Sequence, residues 1–233
     1  PGEFGVMHGY MKIPELKRVC HAMEISINES LVSVYIWSVY TECLHGMPSK
    51  CPIRVAVPVN LRPYFNSITT KNFFVMVSAE FHPTKETYTF AEVAEIVKES
   101  LRSQINRENL EKLFSYNVSN EKLLIARVVP LFLKNLAMKY VYTTSALANT
   151  ATITNIGNIS VTEEYRPYVE MFHAFLAMSK GQHLKGTICS YGDTLVFSFS
   201  YDLVDASVQR GFFRKIASDG IAVEIKSNGV NYE

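Results

Sequence analysis

A chain of 233 residues, 48% of them hydrophobic, has enough apolar material for one large core or two small ones. Its 23 Lys and Arg against 22 Asp and Glu leave a formal charge of +1, so no strong field draws it to nucleic acid or an anionic bilayer. No apolar run reaches the roughly 20 residues that span a membrane, and the four cysteines lack metal-ligand spacing, which fits reduced, mostly buried thiols in a cytoplasmic protein.

Residues 1–12 read as an N-terminal tail or linker, with Pro1-Gly2-Glu3-Phe4 either native loop or a cloning remnant; with no initiating Met, the chain reads as a piece of something longer. From Ile13 to Met23, Leu16, Val19, Cys20 and Met23 fall at helical spacing. Asn28 is a fitting N-cap for a second helix to about Leu44, closed by Gly46, and apolar nearly all round; Trp37 in it reads as core. Pro52 to Val59 is β-branched and almost uninterrupted, the pattern of a strand buried on both faces, with Pro58 and Pro63 punctuating its end. After the polar loop of Asn66, Ser67, Thr69 and Thr70, a second strand runs from Asn72 to Phe81.

Thr89 and Glu92 form a capping box for an amphipathic helix from Phe90 to Ile105. Helical pattern continues from Asn109 to Val141 with a break at Pro130, and the dense apolar run from Leu131 to Val141 reads as a core-packing helix because it lacks a basic face. The last third reads as sheet: strands at Thr150–Thr154 and Tyr168–Met178, then a hairpin of Leu184–Ser190 and Thr194–Tyr201. Asp205 is placed to cap a final helix to about Ser218, Gly220 ends it, and Ile221–Ile225 closes the chain as a strand. The Asn117-Val118-Ser119 triplet fits a glycosylation sequon, without a secretion signal to accompany it.

Three strings in this order carry a resemblance: Pro58-Val59-Asn60-Leu61-Arg62-Pro63, then Asn72-Phe73-Phe74, then Thr154-Asn155-Ile156-Gly157. Together with the hairpin, its Asp-containing turn and the closing Gly220-Ile221-Ala222-Val223, they resemble the C-terminal half of the chloramphenicol acetyltransferase-like superfamily. That superfamily includes alcohol acetyltransferases, wax ester synthases and peptide-synthetase condensation domains; the flavour here is that of bacterial alcohol acetyltransferase and condensation-like proteins. The resemblance covers most of residues 8–227. It implies a single domain over 1–233, built as a two-layer α/β sandwich with one mixed sheet and helices mainly on one face. It also implies no tightly held cofactor, with acyl-CoA or a carrier-protein thioester as co-substrate and an alcohol or amine as acceptor. The partner would be an N-terminal half of the same polypeptide or a second copy.

These acyltransferases carry a His-His-x-x-x-Asp-Gly motif, in which one His is the general base for the acceptor and the Asp holds the loop. None of the six histidines here stands four residues before an aspartate, and none is adjacent to another. At the strand-to-helix junction Tyr201 stands where the histidine belongs, and Asp205 keeps the place of the aspartate, so the resemblance implies a degenerate copy. A tyrosine of ordinary pKa near 10 is a poor base at neutral pH. His173, read as mid-strand, is a weak catalytic candidate; Asp202 and Asp205 read as turn and cap; Cys189 lacks a neighbouring base. Arg62, Asn72, Asn155 and Gly157 are the candidate channel residues, with buried-loop satisfaction as the alternative for Arg62 and Asn72. Three functions remain open: one half of a thioester-dependent acyltransferase, a non-catalytic scaffold that kept the fold, and a self-contained enzyme using Tyr201 or His173.

Overall fold

The computed structural model describes residues 3–122, 129–179 and 181–229. Strands β1 (Gly5–Lys12), β2 (Ile53–Asn60), β3 (Phe74–Phe81), β4 (Ala151–Asn158), β5 (Leu184–Tyr191), β6 (Thr194–Tyr201) and β7 (Val223–Ser227) form one mixed sheet in the order β3-β2-β4-β5-β6-β1-β7. The pairs β2/β4 and β4/β5 are parallel and the rest antiparallel. Helices α1 (Ile13–Ala22), α2 (Ile27–Ser38), α4 (Phe90–Gln104) and α7 (Ser207–Ser218) bury their apolar stripes on one face of that sheet. The expected α/β sandwich is the observed one, and the strands expected to be central, β2 and β4, are both interior.

The core forms around α2, buried on nearly every side, so its serines must satisfy themselves. Ser33 and Ser38 donate to the carbonyls of Glu29 and Val34, one helical turn back. Ser26, not Asn28, caps the helix: its hydroxyl accepts from the Glu29 amide at 3.2 Å, while the Glu29 carboxylate accepts from the Ser26 amide at 2.7 Å. The helix is α-helical only to Ser38 and continues as a π-turn over Val39–Cys43, short of the expected Leu44. Thr89 and Glu92 do form the expected box on α4.

Four other expectations are corrected. Residues 5–12, read as tail, are β1, a strand lying between β6 and β7. Residues 169–178, read as a strand, pair with no neighbour; they form an extended strap across the sheet face opposite the helices. Helix α6 (Leu131–Leu147) is not core-packing: Leu131, Phe132, Leu136 and Tyr140 are exposed. Asp205 sits one residue too early to be the cap of α7, whose N-cap is Ala206. Two smaller differences concern Pro58, which lies inside β2 where the β4 ladder has already ended, and Cys43, which is exposed. The Asn117-Val118-Ser119 triplet falls in α5 (Arg107–Lys122), where its side chains lie outside the described residues.

The tie between α2 and α4 is the Glu29–Arg102 pair, with Nε to Oε1 at 2.7 Å and Nη2 to Oε2 at 3.1 Å. Burial pushes the Glu29 carboxyl up, but the hydrogen bonds from Arg102 and Ser26 outweigh it and hold the pKa below the ordinary 4.5. The unfolded chain therefore takes up this proton first, so the stabilisation is present above about pH 4.5 and lost as pH falls through the folded value. Removing the cap hydroxyl in Ser26→Ala should cost about 1 kcal/mol in urea unfolding at neutral pH. Glu29→Ala should cost more than Ser26→Ala, because it removes the other half of the capping box and the tie to Arg102 together. The difference between wild type and Glu29→Gln should narrow as the same measurement is repeated toward about pH 2.

Candidate functional site

The parallel strands fix which groups share an end of the sheet. The carboxyl ends of β2, β4 and β5 lie together, the place where open α/β sheets bind ligands. Beyond β2 the chain makes the short helix α3 (Arg62–Phe65) and a loop that Arg62 ties down. Its Nε donates to the Thr69 carbonyl at 2.9 Å, its Nη2 to the Lys71 carbonyl at 2.7 Å, and its Nη1 to Asn60 Oδ1 at 3.3 Å. Arg62 is spent on loop shape, and Asn72 at the loop's end is exposed. Next to them β4 bulges between Asn155 and Gly157. Asn155 Oδ1 accepts the Gly157 amide at 2.8 Å, Gly157 adopts φ +86°, and Asn155 Nδ2 reaches Asn28 Oδ1 at 3.4 Å. Glycine adopts a φ of that sign at no steric cost. The bulge opens a cleft of about 460 Å³ walled by Ile13, Ile27, Ile188 and Ser190.

Tyr201 and Asp205 lie at the other end, because β6 runs antiparallel to β5. Tyr201 is 3% exposed, with its ring so close over Gly5 that a Cβ there would come within 2.4 Å. It has no access to a substrate. Asp205 shapes the turn before α7: its carboxylate accepts the Ser207 amide at 2.9 Å and the Ser207 hydroxyl at 2.8 Å, bonds that hold its pKa below the usual carboxylate range. Asp202 is instead paired to His183, Oδ1 to Nδ1 at 2.9 Å. This dyad was legible: counting back along the hairpin from Gly192-Asp193 sets His183 opposite Asp202. The structure therefore unites Arg62, Asn72, Asn155 and Gly157 at one end and leaves Tyr201 and Asp205 at the far one.

His173 is on the strap, not on a strand, and it meets a histidine that sequence reasoning passed over. Its Nε2 lies 2.6 Å from the Tyr10 hydroxyl, and its ring centroid lies 4.6 Å from that of His8, whose Nδ1 is 2.7 Å from Ser198 Oγ. Tyr10 and His173 border an open groove of about 710 Å³ shared with Lys12, Glu170, Glu224 and Lys226. Among the described residues no three His, Cys, Asp or Glu side chains stand close enough to share a metal ion. Cys189, a buried thiol pushed up by burial, donates to the Phe172 carbonyl and is no nucleophile.

On the same sheet face, nearer β2 and β4, Lys185 is 7% exposed. Its ammonium donates to the Ala177 carbonyl at 2.9 Å and to the Ser179 hydroxyl. Burial lowers its pKa, against a smaller opposing effect of Tyr142. Among the described residues no carboxylate pairs with it.

No protein-family model matches the chain, and neither does any curated protein sequence. Solved structures do share its fold. The nonribosomal peptide synthetase FmoA3 superposes with a TM-score of 0.61 at 16% identity, over 93% of this chain and 21% of its own. TRI101 of F. sporotrichioides, solved with coenzyme A and T-2, gives 0.59 at 13% identity, over 97% of this chain and 52% of its own. The epimerization domain from the third module of tyrocidine synthetase B gives 0.56 at 11%, over 93% and 47%. The fold is thus the chloramphenicol acetyltransferase-like one, and the chain spans about half or less of the length of these structures.

The His8–His173 contact has a measurable consequence. Burial first, and the neighbouring His173 second, lower the His8 pKa below 6.5. The unfolded imidazole then binds its proton more readily than the folded one, so stability declines as pH falls through about 6.5. Proton NMR should show His8 titrating below that value, with a partial return toward it in His173→Ala, since burial remains. His8→Asn should flatten the pH dependence of unfolding between about pH 7 and pH 5.

Proposed function

We propose that this chain is the C-terminal half of a thioester-dependent acyltransferase and supplies one wall of its substrate channel. A second half, N-terminal in the same polypeptide, brings the His-His-x-x-x-Asp-Gly base. The observation that carries this is one of extent: 97% of the chain superposes on only 52% of TRI101, and 93% on only 47% of the epimerization domain. The wall is the carboxyl end of β2 and β4, where Asn155 and Gly157 hold a bulged, polar lip and the loop from Arg62 to Asn72 stands beside it. The donor is an acyl-CoA, in keeping with the coenzyme A bound to TRI101, or a carrier-protein thioester; the acceptor is an alcohol or amine. In the reaction the acceptor's O–H or N–H attacks the thioester carbonyl, the base takes that proton, and the C–S bond breaks to release a thiol that the base reprotonates. The one carboxylate of the cleft, Asp193, is paired to Lys12 Nζ at 3.0 Å, which holds its pKa below the usual carboxylate range, so the lip's role is to orient and to accept or donate hydrogen bonds.

The exposed apolar side chains near the lip fit a missing neighbour: Ile68 in the loop that Arg62 ties down and Ile156 in the bulge are both exposed, as are Leu131, Phe132, Leu136 and Tyr140 of α6. Among the described residues no helix is long and apolar enough to cross a membrane.

The test is acyl transfer by the full open reading frame, followed by thiol release from acetyl-CoA and from longer acyl thioesters with alcohol and amine acceptors. The 233-residue chain alone should show no turnover. The complete protein should turn over, and Asn155→Ala in it should lower kcat/KM by about tenfold, the equivalent of one hydrogen bond of about 1.4 kcal/mol. An upstream sequence without the His motif would leave the scaffold reading. Turnover by the isolated chain that is lost in His173→Ala would make it a self-contained enzyme.

A further inference from the structure

Two features of the strap-bearing sheet face are costly taken separately. Lys185 is a buried cation with hydrogen bonds but, among the described residues, no counter-ion. Buried charges are ordinarily paired, since the low dielectric that raises their self-energy also makes an opposite charge worth most. A few residues away, Phe74 and Met76 of β3, Leu113 and Tyr116 of α5 and Tyr142 of α6 leave large apolar side chains exposed. These two features border the same pocket of about 670 Å³, which lies within the range of roughly 300–1,000 Å³ typical of small-molecule sites.

The pocket is graded. Its inner end is polar: Lys185 and Ser179 with Thr152, whose hydroxyl donates to Gln182 Oε1 at 3.1 Å. Its outer end is the ring of Phe74, Met76, Leu113, Tyr116 and Tyr142. Two of the three ammonium hydrogens of Lys185 are engaged by Ala177 and Ser179, which leaves one donor for a ligand. The site is separate from the strand-end lip. Lys185 is the second residue of β5 and Ser190 the seventh, a separation of roughly 16 Å at about 3.3 Å per residue.

We infer that this pocket binds an amphipathic anion, with a single carboxylate or phosphate head on Lys185 and an apolar tail over Phe74, Met76 and Tyr116. One ligand of that kind settles both costs at once. It neutralises the buried ammonium, and it takes the exposed apolar ring out of water. A neutral amphiphile would cover the ring but leave the charge alone. A small inorganic anion would do the reverse. The inference concerns equilibrium binding and holds whether or not the chain takes part in acyl transfer.

Calorimetric titration of the 233-residue chain with laurate and dodecyl phosphate below their micelle concentrations, and with dodecanol below its solubility limit, tests it. Laurate or dodecyl phosphate should bind at least tenfold more tightly than dodecanol, and the stronger of the two identifies the head group. Lys185→Met should erase that preference, and Lys185→Arg should keep it. Because Lys185→Met also cuts the strap loose from Ala177, a second readout uses the unaltered protein. Acetylation of Lys185 by acetic anhydride, followed by mass spectrometry, should slow at least fivefold with the bound anion and not with dodecanol. Equal affinity for laurate, dodecyl phosphate and dodecanol, no binding of any, or unchanged acetylation of Lys185 in their presence would overturn the site.

Discussion

A length of irregular chain laid across a sheet must find partners for backbone groups that no ladder serves, and the strap finds its partners in side chains beneath it. The Phe172 carbonyl takes the Cys189 thiol, the Leu176 amide donates to the Ser200 hydroxyl, and the Ala177 carbonyl takes the Lys185 ammonium. β5 and β6 are therefore polar on a face that is nonetheless buried, which is why Ser198 and Ser200 have no exposure. The helical face needs none of this, because Phe197, Phe199, Phe212 and Phe213 simply pack, with ring centroids 4.3 to 5.6 Å apart. Everything of chemical interest on the strap face follows from that anchoring. It sets His173 beside His8 and Tyr10, and it folds Ser179 over Lys185.

What the sequence made legible was what hydrophobic pattern and capping chemistry control. The β2–β3 pair, α1, α4 and α7 each bury an apolar face and the hairpin alternates apolar with polar residues, and the period of the apolar residues states the element. The strap deceives the same test. Residues 173, 175 and 177 are exposed and the residues between them half-buried, so a period of two is present without any strand pairing. Lying flat on a sheet produces the same alternation as lying within one. β1 deceives it in the other direction. Gly5 and Gly9 weaken a strand pattern, yet they are there because the rings of Tyr201 and Phe213 occupy the space a Cβ would need. The apolar run of α6 reads as core because sequence records hydrophobicity and not what covers it.

The site divides along the same line. Residues near each other in a motif stayed together: Asn155 and Gly157 share one bulge, and Arg62 closes its own loop. Apart from the hairpin pair His183–Asp202, the contacts that were missed join segments far apart in the chain, as with His8 and His173 or Tyr10 and His173. No local pattern encodes those, since each depends on where the strap crosses β1. Lys185 had a faint signal, a lone cation within a run of buried strand residues, but that no carboxylate among the described residues pairs with it is visible only in three dimensions.

The disposition of the histidines decides how labour is divided in this fold. His8 is engaged by Ser198, His173 by Tyr10, His183 by Asp202 and His82 by the Ser49 carbonyl. Of these, His183 stands at the far end of the parallel strands from the Asn155 lip, and His8 and His173 stand on the strap face toward β7. The lip itself offers amide and carbonyl groups, a hydroxyl and a glycine bulge, which can grip and align a polar chain, and the carboxylate in its cleft, Asp193, is already paired to Lys12. Tyr201, at the motif position, is sealed under Gly5 at the opposite end. If acyl transfer happens at the lip, its base has to arrive on another surface, and the lip's shape, kept by Arg62 and Gly157, is what that surface would meet.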